Sequence, residues 1–332
     1  MAGTILVTGG AGYIGSHVVR QLGERNENII VLDDLSTGFK ESVLYGELVI
    51  GDTGDEALVS KLIKEHDIET VIHFAAHTIV PESVENPLKY YKNNTANTRS
   101  LLECCQKGGV KHFIFSSTAA VYGEPKESSV SELAPTQPIN PYGMSKLMSE
   151  HMIKDLSKVT DLTHVILRYF NVAGCDPKGR LGQRTEKATL LTKVAVEAAV
   201  GKREKVFIFG TDFDTPDGTG IRDYIHVEDL ASAHVKALDY LASKGESTTV
   251  NAGYGHGYSV REVLDMVIKL NGSPFTIEEV DRRAGDPPAL TAISDKIKDS
   301  LGWKPEHDSL EAIVSSALAW EKHLLVEASK KD

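Results

Sequence analysis

Thr4-Ile5-Leu6-Val7-Thr8-Gly9-Gly10-Ala11-Gly12-Tyr13-Ile14-Gly15 runs from a short apolar, β-branched segment straight into a turn with glycine at positions 9, 12 and 15. A run of this kind reads as a strand buried on both faces, and a helical pattern follows it over Tyr13–Glu24. The glycines therefore stand at a strand-to-helix turn. Glycine allows the tight turn and lets backbone N–H groups approach a phosphate, while the helix N-terminus favours the anion. Asp33 ends the next apolar run, Ile29-Ile30-Val31-Leu32, 18 residues past Gly15. A carboxylate there accepts hydrogen bonds from a ribose 2′-hydroxyl and repels a 2′-phosphate; Asp34 adds to the repulsion and no arginine stands nearby to reverse it. Strand, glycines and acid together predict a dinucleotide site that takes NAD in preference to NADP.

The same alternation continues outward. Leu48-Val49-Ile50, Val71-Ile72-His73-Phe74, Phe113-Ile114-Phe115 and Val165-Ile166-Leu167 read as strands, with helices over Asp55–Glu65, Leu88–Lys107 and Tyr142–Val159 between them. This βαβ order predicts an α/β fold, a doubly wound parallel sheet of Rossmann type. The order weakens after about residue 170, where turn-rich stretches such as Gly174–Gly179 and Gly210–Gly220 appear. We expect a nucleotide-binding domain over 1–170 and a smaller mixed α/β C-terminal lobe over 171–332, with some elements returning to the first domain. In the lobe, helices are expected over Thr189–Val200, Val227–Ser243, Val260–Asn271 and Leu310–His323, and strands near Val206–Phe209 and Thr276–Val280.

A chain of 332 residues with 41% hydrophobic and 25% charged content suits a soluble globular protein with an ample core. A net charge of −11 argues against nucleic acid as a partner. Cys104, Cys105 and Cys175 form no C-x-x-C pair, and reduced thiols in the cytoplasm are expected, with no metal site. The first strand begins by about residue 4, leaving no room for a signal peptide, and no apolar run is long enough for a membrane span.

A second constellation carries the chemistry. Tyr142 and Lys146, in Pro141-Tyr142-Gly143-Met144-Ser145-Lys146, lie four residues apart on one helical face. A phenol ionising near pH 10 is a poor base at neutrality, but a neighbouring ammonium and an oxidised nicotinamide ring both favour the phenolate. Thr118, ending Ser116-Ser117-Thr118 on the preceding strand, is placed to bridge a sugar hydroxyl and the phenol. A Y-x-x-x-K spacing alone is common in helices; after the fifth βα unit of a nucleotide-binding sheet it reads as a redox site for a hydroxyl group.

These residues, with His73-Phe74-Ala75-Ala76, Tyr90-Tyr91-Lys92-Asn93-Asn94, Arg168-Tyr169-Phe170-Asn171 and Asp217-Gly218-Thr219-Gly220-Ile221-Arg222-Asp223-Tyr224-Ile225-His226-Val227, resemble the extended short-chain dehydrogenase/reductase family, and within it the enzymes that epimerise UDP-sugars at C4. The resemblance runs from residue 4 to about 325. It implies interconversion of UDP-glucose and UDP-galactose by transient oxidation at C4 with tightly bound NAD, with Tyr142, Lys146 and Thr118 catalytic. It places NAD on Gly9, Gly12, Tyr13, Ile14, Gly15, Asp33, Asp34, Leu35, Asp52, Thr53, Phe74, Ala75, Ala76, Asn93, Ser116, Tyr142, Lys146 and Tyr169. The UDP-sugar falls to Thr118, Asn171, Leu191, Phe207, Phe209, Arg222, Arg283, Asp286 and Leu290. Arginines suit a diphosphate, which needs bidentate cationic donors, although ion pairs with Asp223 or Asp286 are an alternative role for them. Ala119-Ala120 occupies the place where related dehydratases carry an Asp-Glu pair, so elimination of water is not expected. Thr78, Leu190 and Leu290 depart from residues common in relatives. The resemblance also implies a homodimer through the Leu88–Lys107 and Tyr142–Val159 helices. Two alternatives stand beside this reading: an epimerase of another UDP-sugar, such as UDP-N-acetylglucosamine or a UDP-pentose, and a catalytically idle nucleotide-binding regulator, against which the intact Thr118, Tyr142 and Lys146 argue.

Overall fold

The computed structural model describes residues 3–185, 188–244, 246–283 and 285–330; the outer ends of the two expected domains, 1–2 and 331–332, lie outside the described residues. Seven strands, β1 (Thr4–Thr8), β2 (Ile29–Asp33), β3 (Glu47–Ile50), β4 (Ile68–His73), β5 (His112–Thr118), β6 (Thr163–Tyr169) and β7 (Thr248–Ala252), form one sheet in the order β3-β2-β1-β4-β5-β6-β7. Every pairing in it is parallel. Chain order reverses beside β1, between the ends of β1 and β4, which is where a doubly wound sheet opens a crevice for ligand.

Alternation along the strands sorts the core into two layers. Ile5 and Val7 join Val18, Val19 and Leu22 of α1 (Tyr13–Glu24) on one face. Leu6 joins Val59 and Leu62 of α2 (Glu56–Glu65) and Leu101 of α3 (Asn97–Gly108) on the other, with Ile153 of α4 (Pro141–Val159) in the same cluster. Helix starts are written in the sequence. The Asp55 carboxylate caps α2 by accepting from the N–H groups of Ala57 and Leu58. Asn140 caps α4 through the Gly143 N–H, with Pro141 at the first helical position.

The second half supplies α5 (Leu191–Ala199), α6 (Val227–Lys244), α7 (Val260–Asn271), α8 (Asp295–Leu301) and α9 (Leu310–Ala328). Of these, α6 packs on α1 and its loop leads into β7, so both elements belong to the main sheet's layers. Lys205–Phe209 and Thr276–Val280 are strands, as expected, and pair parallel with each other. A four-stranded sheet joins Tyr258–Ser259, Ile221–Arg222, Ala289–Ala292 and Ser129–Val130. Among the described residues no helix is long and apolar enough to cross a membrane.

Three elements differ from expectation. The 88–107 helix is interrupted by a π-helical segment, Tyr91–Ala96. There the Asn94 carbonyl accepts from the Thr98 and Ser149 hydroxyls, which compete with the helical ladder. The fourth strand stops at His73, leaving Phe74–Ala76 as loop at the sheet's ligand-facing edge. Finally, β7 has no apolar run to announce it; Thr-Thr-Val-Asn-Ala is a strand because β6 offers it a parallel partner.

Candidate active site

Gly9 has φ +71°, and a Cβ there would stand 2.5 Å from the Ala75 backbone nitrogen; at Gly15 it would stand 2.3 Å from the Gly9 carbonyl oxygen. Positions 9 and 15 therefore fit only glycine, and the turn brings the β1 and β4 ends together. Gly12 begins α1 with no side-chain cap, so the first N–H groups of the helix face outward without an acceptor from a cap. Asp33, buried, accepts from the N–H of Ala11 and the N–H of Leu35, both at 2.9 Å. Burial raises its pKa, while the two N–H groups act in the opposite direction. Leu35 pays for that contact with a left-handed φ of +57°. Asp34 is exposed and engaged by Ser36 at 2.6 Å. Asp52 accepts from Gly54 N–H and from the Asn97 amide, each at 2.8 Å, and Thr53 beside it is buried. Phe74 packs on His234, ring centroids 4.7 Å apart. The Asn93 amide donates to Asn94 at 3.2 Å. Apart from Asn93, in the π-helical segment, these expected cofactor contacts lie at the C-terminal ends of the strands or in the turns that follow.

Tyr142 is 7% exposed and lies beside the Thr118 side chain, which is buried as well. Lys146 is buried too; its Nζ donates to the Ser116 carbonyl at 2.8 Å and stands 4.8 Å from the Phe115 ring centroid. Ser116 Oγ and the Tyr169 hydroxyl share a bond of 2.6 Å. Burial raises the Tyr142 pKa and Thr118 opposes the rise, while the ammonium of Lys146 turns to the Ser116 carbonyl. Lys146 itself is lowered from 10.5 to about 7 by burial, with Glu150 pulling the other way.

That shift predicts a pH effect. The folded pKa lies below the unfolded one, so between about pH 7 and 10.5 the unfolded chain holds a proton that the folded chain has shed. The cofactor-free protein should gain stability as pH rises through that window and bear the full burial cost below it. Thermal midpoints measured against Lys146→Met across the window check this: the wild-type curve should climb relative to the variant's, and parallel curves would contradict it.

A network the sequence does not advertise holds the pair in place. Glu150, four residues past Lys146 and fully buried, is gripped by Arg168 through Nε (2.9 Å) and Nη2 (2.6 Å) and by the Ser117 hydroxyl (2.7 Å). Arg168 also reaches the Tyr122 hydroxyl at 3.1 Å, which donates to Asn251 at 2.6 Å. Elements α4, β5, β6 and β7 are thereby joined directly beneath Tyr142. Ser117 and Arg168 were visible only as parts of motifs.

The residues expected at the sugar nucleotide fall in the second lobe. Arg283 lies over Phe209, 3.6 Å from the ring centroid, and Phe207 is 6.1 Å from Phe209. Burial lowers the Arg283 pKa, with Asp286 opposing. Arg282, Arg283, Asp286, Pro288 and Glu124 line a cavity of about 580 Å³. Arg222 approaches Asp286 at 3.5 Å. Asp223 turns inward instead and accepts from Tyr254, Gly255 and Ala292 N–H groups, which removes it as an arginine partner. Asn171 pairs with Tyr224 in parallel strand register, and its side chain lowers the Tyr224 pKa against the rise from burial. Leu191 opens α5 half-buried against the main core, and Leu190 is exposed. Leu290 sits opposite Arg222 in strand register and packs on the cluster of Ala119, Val121 and Leu147, next to Thr118.

The sequence model of the NAD dependent epimerase/dehydratase family matches residues 5–253. The chain is 53% identical over 321 residues to the UDP-glucose 4-epimerase of Azospirillum brasilense, covering 96% of this chain and 92% of that one. It is similar to the crystal structure of UDP-glucose 4-epimerase from Brucella ovis in complex with NAD, with a TM-score of 0.93, 42% identity and 96% and 98% of the two chains covered. It is similar also to the UDP-Glc/GlcNAc 4-epimerase from Campylobacter jejuni, with a TM-score of 0.86, 51% identity and coverage of 97% and 100%.

Proposed function

The chain belongs to the NAD dependent epimerase/dehydratase family, and we propose from that premise that it interconverts UDP-glucose and UDP-galactose by inverting C4. The observation that carries the reading is the buried Tyr142 beside the buried Thr118, at the same sheet edge as the glycine turn. NAD fits the residues present. The turn excludes a Cβ at Gly9 and Gly15, no side chain competes at the start of α1, and Asp33 keeps acceptor capacity beyond its two backbone bonds.

When bound, the nicotinamide supplies the acceptor and then the donor of the C4 hydride. Tyr142 Oη takes the O4 proton as C4 is oxidised and returns it after the 4-keto sugar has turned its other face. Thr118 Oγ1 holds the phenol and the sugar hydroxyl in line, and Lys146 fixes its charge beneath the site through Ser116. Arg222 and Arg283 hold the diphosphate, so that the sugar swings while the nucleotide stays; Phe207 and Phe209 face the nucleotide. Ala119-Ala120 offers no carboxylate for elimination, which leaves the keto intermediate to be reduced again. Turnover of UDP-galactose by purified protein without added NAD tests the reading; bound NAD without turnover would favour the idle regulator. We assign the cytoplasm as its place of action. A homodimer completes the proposal, with exposed Leu88 and Met148 on the helices expected to pair; solution mass measurement tests it.

Substrate breadth follows from Leu290. In place of a tyrosine that would wall off the space beside C2, the leucine is shorter and packs towards Leu147. A relative 51% identical is a UDP-Glc/GlcNAc 4-epimerase, which supports partial acceptance of N-acetylated sugars. Discrimination by an apolar pocket over a small group is worth only about 1–3 kcal/mol. The expected result is measurable turnover of UDP-N-acetylgalactosamine below that of UDP-galactose, and a lower ratio in Leu290→Tyr. A ratio unchanged by the tyrosine would remove Leu290 as the gate.

A further inference from the structure

The helix whose N-terminus faces the dinucleotide is clamped along its other side by the second half of the chain. Arg20 Nη2 of α1 pairs with Glu228 in the first turn of α6, and both side chains are less than a tenth exposed. Gln21 donates to the Glu228 carbonyl at 3.0 Å and to its carboxylate at 3.1 Å. Arg20 also pairs with Glu24 at 2.6 Å, whose other oxygen takes Arg180 at 2.8 Å; Arg180 in turn grips Asp176. At the opposite end of the helix the Tyr13 hydroxyl donates to the Gly174 carbonyl at 2.6 Å. The Tyr13 side chain is thus committed to the second lobe, and only its backbone is left to face a phosphate.

This network is not optimised for stability alone. His17 Nδ1 contacts the Tyr13 carbonyl at 2.7 Å and must carry the hydrogen there, since a carbonyl only accepts. Burial keeps the ring neutral against the pull of Glu228. Its Nε2 then presents a lone pair to Glu228 Oε1, itself an acceptor, at 3.8 Å. His17 Nε2, Arg20 Nε and Glu228 Oε1 are three of the six buried side-chain polar atoms without a hydrogen bond among the described residues. Apolar side chains of like volume would satisfy such a site at least as well. What the charges add is one register of α1 against α6, because a paired carboxylate and guanidinium tolerate no sliding.

We propose that Glu228 is a positioning residue for cofactor retention: by holding Arg20 and Gln21 it fixes the phosphate-binding turn against the second lobe and slows the loss of NAD. The inference rests on the NAD-dependent reading above. A cofactor restored in every turnover has no need to leave, so slow release costs the reaction nothing.

The test measures NAD remaining on desalted holoenzyme over time. Glu228→Gln keeps the side chain's shape but takes the α6 carboxylate from Arg20 and leaves it Glu24 of its own helix, and NAD should be lost about tenfold faster or more, with turnover per bound NAD unchanged. The double variant Arg20→Met/Glu228→Met separates positioning from stability: its thermal midpoint should return to or above the wild-type value while NAD loss stays fast. Gln21→Ala, a milder cut at the same contact, should move the rate in the same direction by less. Retention equal to wild type in the folded variants, or retention recovered by the apolar double variant, overturns the clamp alone. Wild-type protein that holds no NAD overturns the cofactor reading and the clamp with it.

Discussion

Tyr142→Phe is expected to lower turnover by about 10²–10⁴-fold, the range of a lost general acid–base group, with NAD still bound. The ring packs edge-on to Tyr90, centroids 6.5 Å apart, and is 7% exposed, so phenylalanine fills the same space. What disappears is the proton carrier beside Thr118. The glycine turn and Asp33 lie on β1 and β2 and do not touch the changed atom, which is why cofactor content should stay constant. Assays with UDP-galactose and UDP-glucose should fall together, since the same hydroxyl serves both directions. A variant with near-full activity would place the proton transfer on another group.

What the sequence made legible follows from the range of the interactions. Strands β1, β2, β4, β5 and β6 are apolar runs because helices cover both faces, so local composition carries the signal. The glycine turn is legible for a similar reason: no side chain fits between Gly9 and Ala75 or between Gly15 and Gly9. Long-range partners are another matter. Glu150 reads as an outward-facing helix residue, and only the arrival of Arg168 from β6 and Ser117 from β5 explains its burial. The spacing of Tyr142 and Lys146 gives their shared helical face but not the rotamer that sends the ammonium to Ser116. The π segment depends on Ser149, more than fifty residues from Asn94, and β7 depends on β6. Arg20 and Glu228 are 208 residues apart, and nothing near either one announces the other.

Removing the Glu150 carboxylate is expected to produce the largest loss of stability of any single change near the site. In Glu150→Leu the Arg168 guanidinium stays buried without its partner, a situation that costs about 3–5 kcal/mol. Burial alone would raise the Glu150 pKa, yet Arg168, Lys154 and Ser117 outweigh it and the net shift is downward. A depressed carboxyl contributes stability above its unfolded pKa and loses it as pH falls through the folded value. The wild-type advantage over Glu150→Leu should therefore be full at neutral pH and shrink below about pH 4.5, the ordinary glutamate value. Position should suffer with stability, because Glu150 ties α4 to Ser117, the neighbour of Thr118 on β5. A shift of about 1 Å between catalytic groups is enough to cost roughly 10²-fold in rate, and the loss should appear in kcat more than in KM, since Arg222 and Arg283 are remote from the network. Lys146 provides a second readout: Glu150 supports its charge, so its pKa should fall further in the variant and extend the rise of stability with pH to below about pH 7. Denaturant unfolding, steady-state kinetics and the pH profile of the thermal midpoint, measured on the same preparations, check the three consequences. A variant with wild-type kcat and an unaltered pH profile would reduce Glu150 to a packing residue.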